Sequence, residues 1–299
     1  MPDTAETEWL DRHAQIWLLN ADGSIGRKLA TLAYGSVSFF STGGFVTVPA
    51  NTQLSYSTGV TYETLEDIVV SDQPTSVSAR ALDPGTIGNL LPGTVLSMSA
   101  VILGLNNTAT VVEMANGTDT ETDDELRMRV LLRIREPPMG GAANDFVEWA
   151  LSYPGVTRAW SYPLEMGMGT VTVRFMMDDL RASNNGFPYP QDITNVDNYL
   201  NTVRPVAVKD FFTEAPIPFP INVRVTWLNP DSASVRDAIV ESLQAVFLMN
   251  SKPGQTWYRA WTDQGIMNAV GVIAYDLVGM DVAMSSNGYM PVLGDVTWG

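Results

Sequence analysis

The sequence predicts a multi-domain α+β protein: an N-terminal helix, a β-rich sandwich-like domain, then mixed α/β domains. Three observations predict it. Between residues 34 and 115 the chain runs in short, β-branched, partly alternating segments punctuated by Gly, Pro and Asn. Helical periodicity appears on either side, at 6–19 and from 122 onward. The length of 299 residues leaves room for two or three domains of ~100–150 residues each. The expected division is a helical segment at 1–33, a β-rich domain at 34–118, a helical and α/β domain at 119–205, and an α/β domain at 206–299.

Composition narrows the function classes. Hydrophobic residues make up 45% and charged residues 17%, which is globular rather than disordered. The net charge is −16, from 33 acids against 17 bases. Phosphate backbones and anionic lipids are bound through Lys and Arg, so neither nucleic acid nor a membrane surface is an expected partner. Cysteine is absent. That excludes a disulfide framework, a thiolate nucleophile and a cysteine zinc site. The N-terminus MPDTAETEW is acidic, unlike a signal peptide. The longest apolar stretch, near 95–105, falls short of the ~20 residues of a spanning helix. A soluble chain made in the cytoplasm is expected.

In chain order, ETEWLDRHAQIWLL (6–19) places Trp9, His13, Ile16 and Trp17 on one helical face. That face is expected to dock on the chain's own core, with a partner protein as the alternative. From 34 to 115 the strands suggest a sandwich or barrel-like domain. A helix at 122–135 follows, broken by EPPMGG. AANDFVEWALSY (142–153) is a second helix with Phe146, Trp149 and Ala150 on one face. VTRAWSY and GTVTVRFMM alternate as strands, and the GMG at 167–169 is the turn between them. QDITNVDNYLNTVRP is a helix stopped by Pro205. VAVKDFFTE and PFPINVRVTWL are strands, and a long amphipathic helix at 231–250 is capped by Ser232 or Ser234. A helix near 262–270 and a strand near 272–278 complete the reading.

Catalytic signatures do not emerge from the residues. The single histidine, His13, lies on the tryptophan face, and no G-x-S-x-G elbow or phosphate-binding G-x-x-x-x-G-K-[ST] loop occurs. No catalytic, cofactor-binding or metal-binding residue is assigned, and no cofactor is expected.

The acidic run DTETDDE (119–125) is the one stretch that could suggest a metal. A calcium loop needs a turning glycine at its sixth place and a glutamate at its twelfth. Asp124 and Val130 stand there instead. A helix start fits every residue. Thr122 as N-cap with Glu125 three later is a capping box, and Asp123, Asp124 and Glu125 fill the first turn, where the helix dipole favours acids. Arg127, Arg129, Arg133 and Arg135 load the later turns, and Leu126, Val130, Leu131 and Ile134 form the expected buried stripe.

Two stretches together resemble a known family. TAETEWLDRHAQIW is similar to the start of Mu-like phage baseplate J-like proteins. GTIGNLLPGTVLSM, followed by NGTDTETDDELRMRVLLRIREPPMGGAANDFVEWALSYPGVTRAWSYP, resembles the centre of that family. The matching positions are Gly88, Asn89 and Gly93; Glu121, Asp123, Arg127 and Arg129; and Gly140, Gly141, Trp149, Pro154, Gly155 and Val156. Order and spacing cover about residues 6–178; the C-terminal third matches mainly in texture.

The resemblance implies a non-enzymatic subunit of the contractile-tail baseplate wedge, sited in the virion tail. It would form the ring around the central hub and rearrange on sheath contraction. Implied partners are a second copy of itself, a smaller related wedge subunit, neighbouring wedges, hub or sheath-initiator proteins, and tail fibres. Family members commonly carry a helical segment ahead of EWLDRHA, which here begins at residue 8. The Trp9/Trp17 helix is then a candidate remnant of a helical bundle, which puts the partner reading of its face on equal footing with the core reading. The structural and interface candidates are Trp9, Trp17, Thr122, Glu125, Arg127, Arg129, Gly140, Gly141 and Trp149. The alternatives are a glycan-binding or glycan-hydrolysing tail protein, and the same scaffold in a pyocin-like contractile injection system.

Overall fold

The computed structural model describes residues 2–205 and 210–299. Residues 206–209, the front of the expected strand VAVKDFFTE, lie outside the described residues. The chain divides into two compact units. One holds the chain up to Met139 together with Glu148–Thr157 and Met177–Gly186; the other holds Gly140–Val147, Arg158–Met176 and Phe187–Gly299.

The first unit opens with helix α1 (Thr7–Trp17) and continues through β1 (Leu32–Phe39), β2 (Val46–Val48), β3 (Gln53–Ser55), β4 (Thr61–Thr64), β5 (Ile68–Val70), β6 (Thr75–Pro84), β7 (Val95–Met98) and β8 (Thr108–Ala115) to helix α2 (Asp123–Arg135). Six of these strands close a barrel in the order β1-β6-β4-β3-β7-β8, with β2 and β5 paired beside it. The expected sandwich-like arrangement is corrected to the barrel-like one, because β1 and β8 pair and close the sheet on itself. Every barrel pairing is antiparallel, so alternate side chains point inward. On β6 these are Val77, Ala79 and Ala81. They meet Val37, Phe39, Leu54, Tyr62, Leu96 and Val111 in one core. Tyr62 is fully buried and its hydroxyl donates to the Gly88 carbonyl at 3.1 Å; burial pushes the phenol up to about 12.

The GN-x-x-x-G stretch shows why those residues sit there. A Cβ on Gly88 would stand 3.0 Å from the Ala81 Cβ and 3.2 Å from that of Ala33. Asn89 acts as a piece of strand: its amide donates to the Gly117 carbonyl and its oxygen accepts the Gly117 N–H, both at 2.8 Å. Gly93 turns the chain at φ +87°.

Helix α1 decides against the core reading of its tryptophan face. Its buried residues are Leu10 and Ala14, which with Leu18 pack on Leu126 and Val130 of α2. Trp9, Ile16 and Trp17 lie on the other side and are exposed, so the tryptophan face does not dock on this chain's core. Periodicity marks an apolar stripe but does not say which of two stripes is covered. Helix α2 departs in a related way. Leu126 and Val130 are buried, but Arg129 joins them, Leu131 is half-buried and Ile134 is exposed.

The second unit contains the first turns of helix α3 (Ala143–Ser152), β9 (Arg158–Pro163), β10 (Thr170–Met176), helix α4 (Pro190–Val203), β11 (Asp210–Glu214), β12 (Ile217–Asn229), helix α5 (Ala233–Asn250), helix α6 (Arg259–Asn268), β13 (Ala274–Val278) and β14 (Tyr289–Trp298). It builds two three-stranded sheets, β11-β10-β9 and β13-β12-β14. Val223, Val225 and Leu228 of β12 face Val235, Ile239 and Leu243 of α5. Ser232 is the cap of α5, its Oγ accepting the Val235 N–H at 3.4 Å. Strand β14 has no counterpart in the sequence reading.

Candidate functional site

The acidic run lies in the first unit, where α1 meets α2, and Asp119, Glu121, Asp123 and Glu125 have separate partners. Asp119 accepts the Thr86 N–H at 2.9 Å and the Thr86 hydroxyl at 2.6 Å. Glu121 turns inward. Its side chain is 1% exposed and takes both oxygens to Arg129 Nη1, at 2.8 and 2.7 Å, while Arg129 Nη2 reaches Asn20 Oδ1 at 2.6 Å. The Lys28 N–H also donates to Glu121 at 3.0 Å. Asp123 accepts the Thr7 hydroxyl at 2.5 Å and Arg27 Nη2 at 2.7 Å. The Thr7 hydrogen bond, then Arg27, hold this carboxyl below its usual range.

Thr122 and Glu125 form both arms of a capping box: the Glu125 N–H donates to Thr122 Oγ1 at 3.4 Å and the Thr122 N–H to Glu125 Oε2 at 2.8 Å. Among the described residues no group of three or more His, Cys, Asp or Glu is arranged to hold a metal ion.

The arginines do the joining. Arg27 donates to Asp11, to the Glu121 carbonyl and to Asp123, at 2.8, 2.7 and 2.7 Å. Arg127 reaches back to the carbonyls of Asp3 and Ala5 at 3.2 and 2.9 Å. Arg133 donates to the Trp17 carbonyl at 3.2 Å, the last helical residue of α1. Planar guanidinium groups with several donors suit this kind of multi-segment stitching. The resulting joint binds α1, the 20–28 segment and the start of α2 into one body.

Beside it opens a cavity of about 570 Å3, lined among others by Lys28, Thr118, Asp119, Glu125, Gly155 and Asp179. Lys28 Nζ donates to the carbonyls of Leu151 and Val156 at 3.2 and 3.0 Å. Burial, then the charge of Arg129, push its ammonium down from 10.5 to about 8. Asp179 is shifted upward, by burial first and then by Glu125, Asp178 and Asp119.

For Lys28 the folded pKa is the lower one. Between the folded and unfolded values of about 8 and 10.5 the unfolded chain holds more protons, so this group's contribution to stability rises with pH. Wild type is therefore expected to gain on Lys28→Met as pH climbs through that window, measured as the difference in urea midpoints. Parallel curves would show that Lys28 titrates normally.

The remaining candidates fall elsewhere. Gly140 and Gly141 sit at φ +77° and +128° ahead of α3. Asp145 accepts the N–H of Gly141 and of Ala142 at 2.5 and 2.9 Å, and a Cβ on Gly141 would press on Pro205 at 2.9 Å. The pair is a helix entrance that side chains would obstruct. Trp149 is half-buried on α3. The Glu121–Arg129–Asn20 contact and the perturbed Lys28 were not legible in the sequence. An arginine on a predicted helix reads as solvent-facing unless the tertiary partner is known.

Fold and joint together define a barrel-bearing α+β protein whose buried charges tie its segments together. Residues 36–117 match the family description "Baseplate J-like protein barrel domain", and residues 138–211 match "Baseplate J-like central domain". The whole chain aligns with the Mu-like prophage FluMu protein gp47 of Haemophilus influenzae at 31% identity, covering 84% of that protein. It aligns equally fully with the baseplate protein gp47 of Escherichia phage Mu, at 30% identity over 83% of it. The phage-like element PBSX protein XkdT of Bacillus subtilis is 30% identical over 57% of this chain and 44% of that protein. The chain belongs to the baseplate J-like family.

Proposed function

We propose that this chain is a structural subunit of the baseplate wedge of a contractile phage tail, and that it acts by assembly rather than by catalysis. The observation that carries the reading is the full-length alignment with the phage Mu protein whose name is baseplate protein gp47. In this reading, copies of the chain join a smaller related subunit, and the wedges close a ring around the hub that rearranges on sheath contraction. The chain is made in the host cytoplasm and resides in the virion tail. Trp9 and Trp17 are the interface candidates best placed for a partner, because their face of α1 is exposed and large aromatic side chains dominate interface energetics. Gly140, Gly141 and the Thr122–Glu125 cap serve shape instead.

Co-expression with the other tail proteins of the same genome tests the proposal. A stable complex containing this chain and a smaller partner, resolved by size exclusion with light scattering, is expected. An inert monomer in the presence of every candidate wedge subunit would overturn it.

A further inference from the structure

Strand β10 ends at Met176 and helix α4 begins at Pro190, and both lie in the second unit, whereas Met177–Gly186 between them belongs to the first. This strap is pinched at its base, where the Met177 N–H donates to the Gly186 carbonyl at 2.8 Å. Gly186 sits at φ +79°, and a Cβ there would stand 2.5 Å from Asp178 Oδ1. Contacts from three of its side chains dock the strap within the first unit. Arg181 Nη2 donates to Asn116 Oδ1 at 2.9 Å, just past the end of β8. The Thr157 hydroxyl donates to Asp178 Oδ2 at 2.5 Å, and the Asp178 N–H donates to Thr157 Oγ1 at 3.0 Å. Leu180 closes over Gly155, where a Cβ would press on Leu180 Cδ2 at 2.8 Å.

Against these contacts stands an excess of like charge. Asp179, the third residue of the strap, lines the cavity beside the joint together with Asp119, Glu121 and Glu125. Its side chain hydrogen-bonds that of Glu125. Two carboxyl groups in such contact need one proton between them, and without it they repel. Glu125 Oε2 already accepts the Thr122 N–H and hydroxyl, both at 2.8 Å, so the shared proton falls to Asp179. Burial first, then the charges of Glu125, Asp178 and Asp119, raise the Asp179 carboxyl above 3.8. Among the described residues Lys28 is the one cation lining this cavity, and it donates to the Leu151 and Val156 carbonyls. Glu121 is paired with Arg129, and Arg181 on the strap is turned to Asn116.

We infer that Met177–Gly186 is a charge-loaded strap, fastened to the first unit while Asp179 and Glu125 share a proton and loosened when both carboxyls are ionised. This goes beyond the assembly reading and does not rest on it. The folded pKa of Asp179 is the higher one, so its contribution to docking is full below 3.8 and is lost as pH rises through the folded value. At neutral pH the strap is held against repulsion. Asp179 is exposed, so water and salt screen that repulsion and its effect is a few-fold.

Asp179→Asn tests the strap, because the amide donates to Glu125 without a shared proton and carries no charge. In hydrogen exchange of the full chain near pH 7.5 at low salt, the 177–186 amides of this variant are expected to open about three-fold less often than in wild type. Wild type is expected to approach the variant as pH falls toward 5, once intrinsic exchange rates are divided out, and as salt rises from about 20 mM to about 0.5 M. Trypsin gives an independent reading. Arg181 is buried, so cleavage after it requires the strap to be released, and the Asn variant is expected to be cut correspondingly more slowly. Arg181→Met removes the anchor on Asn116 and is expected to open the strap about ten-fold more often. An Asn variant that opens as often as wild type, or more often, overturns the inference. So does a wild-type strap whose opening ignores both pH and salt, or an Arg181→Met variant as protected as wild type.

Discussion

Arg129→Ala is expected to destabilise the first unit by about 3–5 kcal/mol, because removing one partner of a buried ion pair strands the other. Glu121 is the partner left behind. Its side chain is 1% exposed, and without the guanidinium it keeps only the Lys28 N–H among the contacts described above. Asn20 Oδ1 loses its short contact at the same time. Exposed ion pairs on the same helices set the scale for comparison. Arg12–Glu8, with both side chains more than half exposed, should contribute no more than about 1 kcal/mol when broken. The two substitutions can be measured side by side by urea denaturation, with hydrogen exchange in α2 locating the loss. Equal small effects would mean that water screens the joint. The cycle with Glu121→Ala adds a second check: the double variant should lose less than the sum of the singles, since each single strands a charge that the double removes.

That pair also marks where the sequence stops being legible. The helix at 122–135, its cap and its stop at Pro137 follow from local rules, since capping and dipole effects act within one turn. The strand texture of 34–115 likewise follows from period-two alternation. Barrel closure does not, because alternation says that one face is covered without saying by what. The core reading of the α1 tryptophan face failed on the same point. Trp9, Ile16 and Trp17 make the heavier apolar stripe, but the smaller stripe of Leu10, Ala14 and Leu18 is the one α2 covers. Side-chain size does not decide which face a neighbour takes. Strand β14 was missed because Pro291 and Gly294 interrupt it, and both weaken a strand signal. It holds its place by parallel pairing with β12, a long-range contact invisible to local pattern. Lys28 shows the electrostatic version of this limit. Nothing adjacent in sequence distinguishes it from an ordinary surface lysine, and its perturbation comes from burial and from Arg129.

Trp257→Ala should cost the second unit a similar amount, about 3–5 kcal/mol, the range for emptying a buried large aromatic site. Trp257 is 1% exposed. It stacks on Phe247 of α5 at 3.6 Å between ring centroids and meets Trp261 edge-on at 5.2 Å. Its indole N–H donates to the Thr262 hydroxyl at 2.9 Å, and its backbone pairs with Val282 in both directions at 2.8 Å. One residue therefore fixes the end of α5, the start of α6 and the 279–284 segment together. Trp257→Phe separates the two contributions. It retains most of the stacking but leaves the buried Thr262 hydroxyl without its donor, so roughly 1–2 kcal/mol is expected. Denaturation midpoints ordered wild type, then Phe, then Ala would place the larger share in packing. A Phe variant as unstable as Ala would place it in the hydrogen bond. Either way the cluster has the build of a rigid corner: stacked rings, a satisfied polar handle and pinned backbone leave few alternative packings. That rigidity suits a part whose work, in the reading proposed here, is to keep interface faces at fixed positions.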